Sequence, residues 1–168
     1  MAARTTGATA VAVDLNRDFL ETGRAMDGGN LVHWVTANSR RLPFRDGIFH
    51  SAWVLDADIS LPELTRITTP DATLCLCCEV PVDGRGGVEA FIGELEAYGW
   101  RTAAHRQMSL EATNTWRAAE ADLVRRRPYF EARYGTRPYL AQLDMLGSLV
   151  QRYERLEQGH GLFVFERR

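Results

Sequence analysis

The sequence predicts an α/β protein organised on a largely parallel sheet. Short apolar runs alternate with amphipathic stretches through the first half of the chain, the pattern of strand, helix, strand. The run ATLCLCCEV is apolar throughout, as expected of a strand covered on both faces. The first run, ATAVAVDLN, ends in an acid, Asp14, directly before a helix start, the arrangement of a strand whose tip meets a ligand.

Taken in order, ATAVAVDL reads as a strand and RDFLETGRAM as a helix with apolar positions at Phe19, Leu20, Ala25 and Met26. GGNLVHWVTAN is the next strand, and IFHSAWVLDADI follows a turn at Asp46-Gly47 as another. LPELTRIT is a short helix with Pro62 in its first turn and Pro70 beyond its end. ATLCLCCEV comes next, then the DGRGG loop and a helix, GVEAFIGELEAYG, that stops at Gly99. WRTAAHRQMS is a strand. A helical stretch over 110–158 is broken near GTRP by Gly135 and Pro138, and Leu140, Leu143, Leu146, Leu149 and Val150 form one apolar stripe along it. GHGLFVFERR alternates in the manner of a final strand.

The 168 residues suffice for one domain with its own core, and they are read as a single domain over 1–168. Its parts are a core over 1–109, a helical insertion over 110–158 and a closing strand over 159–168. A net charge of -2 argues against a nucleic-acid partner, which needs a concentrated basic face. All 20 basic residues are arginine, the signature of a GC-rich genome. No apolar run reaches the roughly 18 residues that span a bilayer, and no leader is visible, so a cytoplasmic protein without a membrane partner is expected. Cys75, Cys77 and Cys78 lie too close along one strand to pair, and no second cluster completes a zinc site. They read as small hydrophobes in a reducing compartment.

The order of elements, with LPFRDGIFHSAW at its middle, resembles the class I S-adenosylmethionine-dependent methyltransferases. LPELTRITTPDATLCL is similar to the helix, turn and fifth strand that follow in that family, ELEAYGWRTAAHR to its next helix and sixth strand, and GLFVFERR to its seventh strand. The resemblance implies a Rossmann-like three-layer α/β sandwich, N-terminally truncated, with a helical insertion before the last strand. It also implies cofactor-binding positions. Asp14 matches the acid that holds the cofactor's ribose hydroxyls, and a carboxylate accepts from two vicinal hydroxyls at once. Asn38, five residues before Pro43, stands where the family commonly has an acid for the adenine amino group.

The family's first strand and its glycine-rich turn have no counterpart in residues 1–9, where TTGAT carries a single glycine. In the family's strand order, 3-2-1-4-5-7-6, the first strand lies in the middle. Its loss leaves strands two and three apart from strands four to seven, with two apolar edges. Each buried unpaired backbone group costs roughly 1–3 kcal/mol, against a domain stability of about 5–15 kcal/mol. A protein partner that donates the strand, in a heterodimer or larger assembly, is therefore expected.

Ligands of open α/β sheets bind at the carboxyl ends of the strands. Those ends carry Asp14, Asn38, then Asp56 and Asp58 after AWVL, then Glu79 after LCLCC. Asp56 and Asp58 are expected on one side of an extended segment, as catalytic carboxylates toward a cationic small-molecule amine. Ser60 is the better-placed cap of the helix that follows. Glu79 and, from the aromatic-rich insertion, Trp116 are substrate-binding candidates. The aromatics of that insertion otherwise read as core or interface. His50, His105 and Arg106 read as structural, and DGRGG as a weak phosphate cradle.

Three functions fit. The first is a subunit of a heteromeric natural-product enzyme on a degenerate methyltransferase scaffold, which resembles the small subunit of two-chain cyclases that build aziridine-type rings. It would close a C–N ring within one molecule, with no cofactor. The second is an S-adenosylmethionine-dependent methyltransferase whose glycine turn comes from a partner. The third is a non-catalytic stabilising subunit.

Overall fold

The computed structural model describes residues 7–27, 31–58, 60–81 and 87–168. The chain forms two compact units, Met1–His50 with Asp58–Pro70, and Ser51–Ala57 with Asp71–Arg168. Its strands fall into two sheets, one of two strands and one of four.

In the first unit, β1 (Ala10–Asp14) and β2 (Val32–Thr36) pair in parallel, with Ala10 opposite Val32 and Asp14 opposite Thr36. Helix α1 (Arg17–Asp27) connects them. Asn16 opens it, its side-chain oxygen accepting from the Asp18 N–H at 2.9 Å. Of its apolar positions Phe19, Leu20, Ala25 and Met26 only Leu20 is buried, and Phe19 and Met26 are 66% and 80% exposed. Gly23 makes room for the Trp34 ring of β2.

The stretch LPFRDG is held by helix α2 (Leu61–Ile67) through two side chains one turn apart. The Glu63 carboxylate accepts from the Leu42 N–H at 2.5 Å and from Arg66 at 2.7 and 2.9 Å. The Arg66 guanidinium also donates to the Leu42 and Phe44 carbonyls and to the Asp46 carboxylate. This fork saturates the donors of one arginine on a loop that otherwise has no ladder to join. Arg66 holds the Glu63 carboxyl down to about 2, with the Leu42 N–H assisting. The turn closes at Gly47, whose φ of +60° lies in the left-handed region. Ser60 occupies the N-cap of α2, but its hydroxyl makes no capping bond, and its carbonyl receives the Leu64 N–H instead.

The second unit carries the sheet β3-β4-β6-β5, formed by β3 (Phe49–Leu55), β4 (Thr68–Pro81), β5 (Trp100–Gln107) and β6 (Gln158–Arg167). β6 runs antiparallel to both β4 and β5. From Gly161 to Glu166 its residues alternate between more and less buried. Phe163 and Phe165 face Leu76 and Leu74 across the ladder and are wholly buried, and Phe91 of α3 (Gly87–Ala97) packs on Phe163. β4 was expected to be covered on both faces. Instead Ala72, Leu74, Leu76, Cys78 and Val80 are buried while Cys75, Cys77 and Glu79, on the opposite face, are partly exposed. Only one face is consistently apolar; the other carries Asp71, Thr73 and Glu79 beside the two cysteines, and burial follows the face that the phenylalanines of β6 fill.

Three helices precede β6: α4 (Ser109–Arg125), α5 (Arg127–Tyr134) and α6 (Thr136–Glu154). The break expected at Gly135 is present, with φ +91°, and a second falls at Arg126, where Pro128 opens α5. Leu146, Leu149 and Val150 are buried as the periodicity predicts, but Leu140 is 50% exposed and Tyr139 takes its place inside. α4 and α6 pack through two clusters, Ala112–Leu149–Tyr153 and Leu123–Tyr139–Leu146, with Trp116 against both.

Taken singly, each sheet has the strand order of one part of the sequence-derived expectation. β2-β1 corresponds to the family's 3-2 and β3-β4-β6-β5 to its 4-5-7-6.

Candidate functional site

The carboxyl ends of the strands are where the sequence placed the chemistry, and they can be followed one by one. In the first unit, the Ala37 N–H donates to the Asp14 carbonyl at 3.1 Å, which brings the ends of β1 and β2 together. Asp14 uses one carboxylate oxygen to accept the Asn16 N–H at 2.7 Å, and its helix is capped by Asn16 rather than by Asp14. The other oxygen is available to a ribose hydroxyl. Asn38 is a turn residue, its side-chain oxygen accepting from the Arg40 N–H and its carbonyl from the Arg41 N–H, both at 2.9 Å. One lone pair of that side-chain oxygen remains for an adenine amino group. These two residues fit the ribose and adenine end of S-adenosylmethionine. Among the described residues no glycine-rich turn follows a strand to meet the methionine end, and the DGRGG loop lies almost wholly outside them.

Asp58 belongs to the first unit, is 85% exposed along its side chain and stands 4.0 Å from Arg40. An exposed pair at this distance contributes little. Asp56 was expected to share a side with Asp58 along an extended segment. Its φ of +46° breaks that segment, so the two-residue alternation does not run through it. Asp and Asn visit this region more readily than most residues, and such outliers gather at functional positions.

The second unit gathers Asp56, Glu79 and Trp116 around two residues that the sequence did not single out, His160 and Tyr153. The Asp56 N–H donates to the Cys77 carbonyl at 2.8 Å, fixing the turn at the end of β3. Its carboxylate then reaches His160 Nε2 at 3.4 Å; His160 is only 5% exposed and the Asp56 side chain 45%. Cys77 Sγ also lies 3.4 Å from Nε2. On the other side of the ring, Tyr153 Oη stands 3.0 Å from Nδ1. The His160 backbone is held as firmly, its N–H donating to Ser109 Oγ at 3.1 Å and its carbonyl accepting from the Met108 N–H at 2.8 Å. Glu79 faces His160 across the β4–β6 ladder.

Burial pushes the Tyr153 phenol up to about 12, and the charges of Glu79 and Asp56 add to this, so the hydroxyl keeps its proton. The Trp116 indole acts in the opposite direction. Its buried Nε1 meets no acceptor in hydrogen-bonding geometry, so its pull on the Tyr153 oxygen is a proximity effect rather than a formed bond. Burial also raises the thiols, Cys78 to about 12, and Asp56 opposes ionisation of Cys77. The Cys77 thiol beside His160 is thus held in its neutral form.

His105 stacks on Phe163, and Arg106 pairs with Glu111 at 2.7 Å, so both are accounted for on the sheet surface. No local pattern announces His160 or Tyr153. His160 lies between two glycines at the start of β6, and its partner at Asp56 is assigned only by the β4–β6 register.

No helix among the described residues is long and apolar enough to cross a membrane. No protein-family profile matches the sequence. A demethylmenaquinone methyltransferase from Mycolicibacterium vanbaalenii is 35% identical over 78 residues, which is 42% of this chain and 32% of that protein. The chain thus spans about a third of the curated relative it matches. Among solved structures, a candidate sarcosine dimethylglycine methyltransferase from Galdieria sulphuraria superposes with a TM-score of 0.84 at 10% identity, over 98% of this chain and 71% of that one. The cyclopropane synthase MmaA2 from Mycobacterium tuberculosis gives 0.80 at 10% identity, over 99% of this chain and 72% of that one. The [4+2]-cyclase SpnF gives 0.76 at 16% identity, over 99% and 68%. With identities this low the likeness is one of fold, and the chain has the Rossmann-like α/β fold of the class I methyltransferases.

Proposed function

We propose that this chain is a subunit of a heteromeric enzyme that closes a nitrogen-containing ring within one small-molecule substrate, on a methyltransferase scaffold and without S-adenosylmethionine. The observation that carries the reading is Asp56, a half-exposed carboxylate at the carboxyl end of β3, backed by a buried imidazole. In the reaction a substrate ammonium gives its proton to Asp56. The freed lone pair attacks a carbon of the same molecule, the C–N bond forms as the bond to the leaving group breaks, and the leaving group departs with its electron pair. Asp56 returns its proton to solvent. Holding amine and carbon in line supplies much of the rate. SpnF, a cyclase by name, and MmaA2, a cyclopropane synthase, indicate that ring formation is within the range of this scaffold.

The partner belongs to the same proposal. β3 is an edge strand among the described residues, and it exposes Trp53 and Leu55 at 66% and 65%. A strand added beside it would cover them and join the role of the family's first strand.

A second reading, a methyltransferase, is favoured by Asp14, which retains an oxygen for a ribose hydroxyl. When bound, S-adenosylmethionine supplies an electrophilic methyl group. Asp14 and Asn38, both in the first unit, would hold its nucleoside end.

Native mass spectrometry of the protein purified with the products of its neighbouring genes separates the readings. A hetero-complex without S-adenosylmethionine or its demethylated product supports the cyclase, and either mass on the complex supports the methyltransferase. In the complex, Asp56→Asn should lower turnover by about 10²- to 10⁴-fold, the usual worth of a general base. Unchanged turnover removes Asp56 from the mechanism.

A further inference from the structure

Asp56, just past the end of β3, Cys77 of β4 and Tyr153 of α6 approach the His160 ring, Glu79 faces it across the β4–β6 ladder, and Ser109 of α4 holds its backbone N–H. Asp56 as a carboxylate can only accept, which places a proton on Nε2. A neutral ring then leaves a lone pair on Nδ1, and the Tyr153 hydroxyl, its oxygen 3.0 Å away, is placed to donate to it. Cys77 Sγ lies at the same 3.4 Å from Nε2, and as a thiol it is weak both as donor and as acceptor, so the charged carboxylate sets where the proton lies.

We propose that Tyr153 and His160 form a one-way donor chain, Tyr153 O–H to Nδ1 and Nε2–H to Asp56, that fixes the orientation of the Asp56 carboxylate and leaves its second oxygen to the substrate's ammonium. Tyr153 and His160 are thus positioning residues. This rests on Asp56 being the base of the proposed reaction, and it explains why a carboxylate at a left-handed backbone position would hold one orientation. The imidazole passes no proton in this scheme. It holds an acceptor in place, as the carboxylate holds the imidazole in a hydrolase triad, with the roles exchanged.

The test is long-range ¹H–¹⁵N NMR of the full chain labelled at histidine, with its partner where one co-purifies and with no substrate added. The expected spectrum shows His160 as the Nε2–H tautomer, and Tyr153→Phe should yield a mixture of tautomers at unchanged circular dichroism. An Nδ1–H tautomer in the unmodified protein overturns the proposal, and that spectrum alone decides it should the variant fail to fold. An unchanged tautomer in a folded Tyr153→Phe protein overturns it too. Because no substrate is present, these spectra decide the donor chain independently of whether Asp56→Asn stops the reaction. Where turnover is measurable, Tyr153→Phe should lower kcat about 3- to 10-fold with KM unchanged, the worth of one hydrogen bond.

Discussion

Trp34 lies across Gly23 so closely that a methyl group on that Cα would stand 2.5 Å from two carbons of the indole. Two effects then oppose each other in Gly23→Ala. Replacing glycine inside a helix ordinarily stabilises by about 0.5–1 kcal/mol. Forcing a methyl group into a filled contact costs about 1–3 kcal/mol. The packing cost is the larger, so the variant should be less stable by about 1 kcal/mol, a fall in Tm of about 2–4 °C for a chain of this size. A rise in Tm on differential scanning calorimetry would mean that the ring moves aside freely. Nothing in the sequence near Gly23 signals this contact. The apolar positions of α1 did not say which would turn inward: Leu20 is buried whereas Phe19 and Met26 are exposed, because a mixed helix offers several apolar stripes and only its neighbours choose among them. Asp56 shows the same limit at the site. Its residue type and place at a strand end were legible, but its left-handed φ and its imidazole partner were not, because both depend on contacts made by strands far away in sequence.

At the level of elements the sequence was far more informative, and the physical reason is locality. Every strand and helix named from periodicity is present, since burial on one face writes itself into neighbouring positions. The unforeseen break at Arg126 falls before a proline whose position is compatible with either a helix start or a helix interior when read alone. LPFRDG illustrates a motif whose function is structural: its backbone is wired to Glu63 and Arg66 of α2. Glu63 is held at about 2, below its ordinary 4.5, so the folded state binds its proton less readily than the unfolded chain does. Its contribution to stability is therefore complete above pH 4.5 and is lost as the pH falls toward 2. Thermal melts should show a steeper loss of Tm across that window than the Glu63→Gln variant, whose melting point should start lower and change less. Parallel curves for the two proteins would show that the carboxylate does not anchor the loop.

For the molecule as a whole, the strands divide as the order of the methyltransferase fold divides when its first strand is taken out, a pair and a group of four. This division follows from the order of elements and so was legible in the sequence, whereas a strand contributed by another chain would leave no periodicity in this one. The proposed partner makes the division testable at β3. Trp53 and Leu55 are about two-thirds exposed, so changing them to arginine removes little packing from the chain itself. If a partner's strand lies along β3, both side chains are covered in the complex, and two arginines must then be desolvated without acceptors. Trp53→Arg with Leu55→Arg should keep the secondary structure by circular dichroism yet no longer co-elute with the partner on gel filtration. Aggregation should fall at the same time, since the change also blunts an exposed apolar edge. Intact co-elution of the double variant would place the partner elsewhere, and a stable unmodified protein that remains monomeric among its neighbours' products would remove the strand-donation proposal.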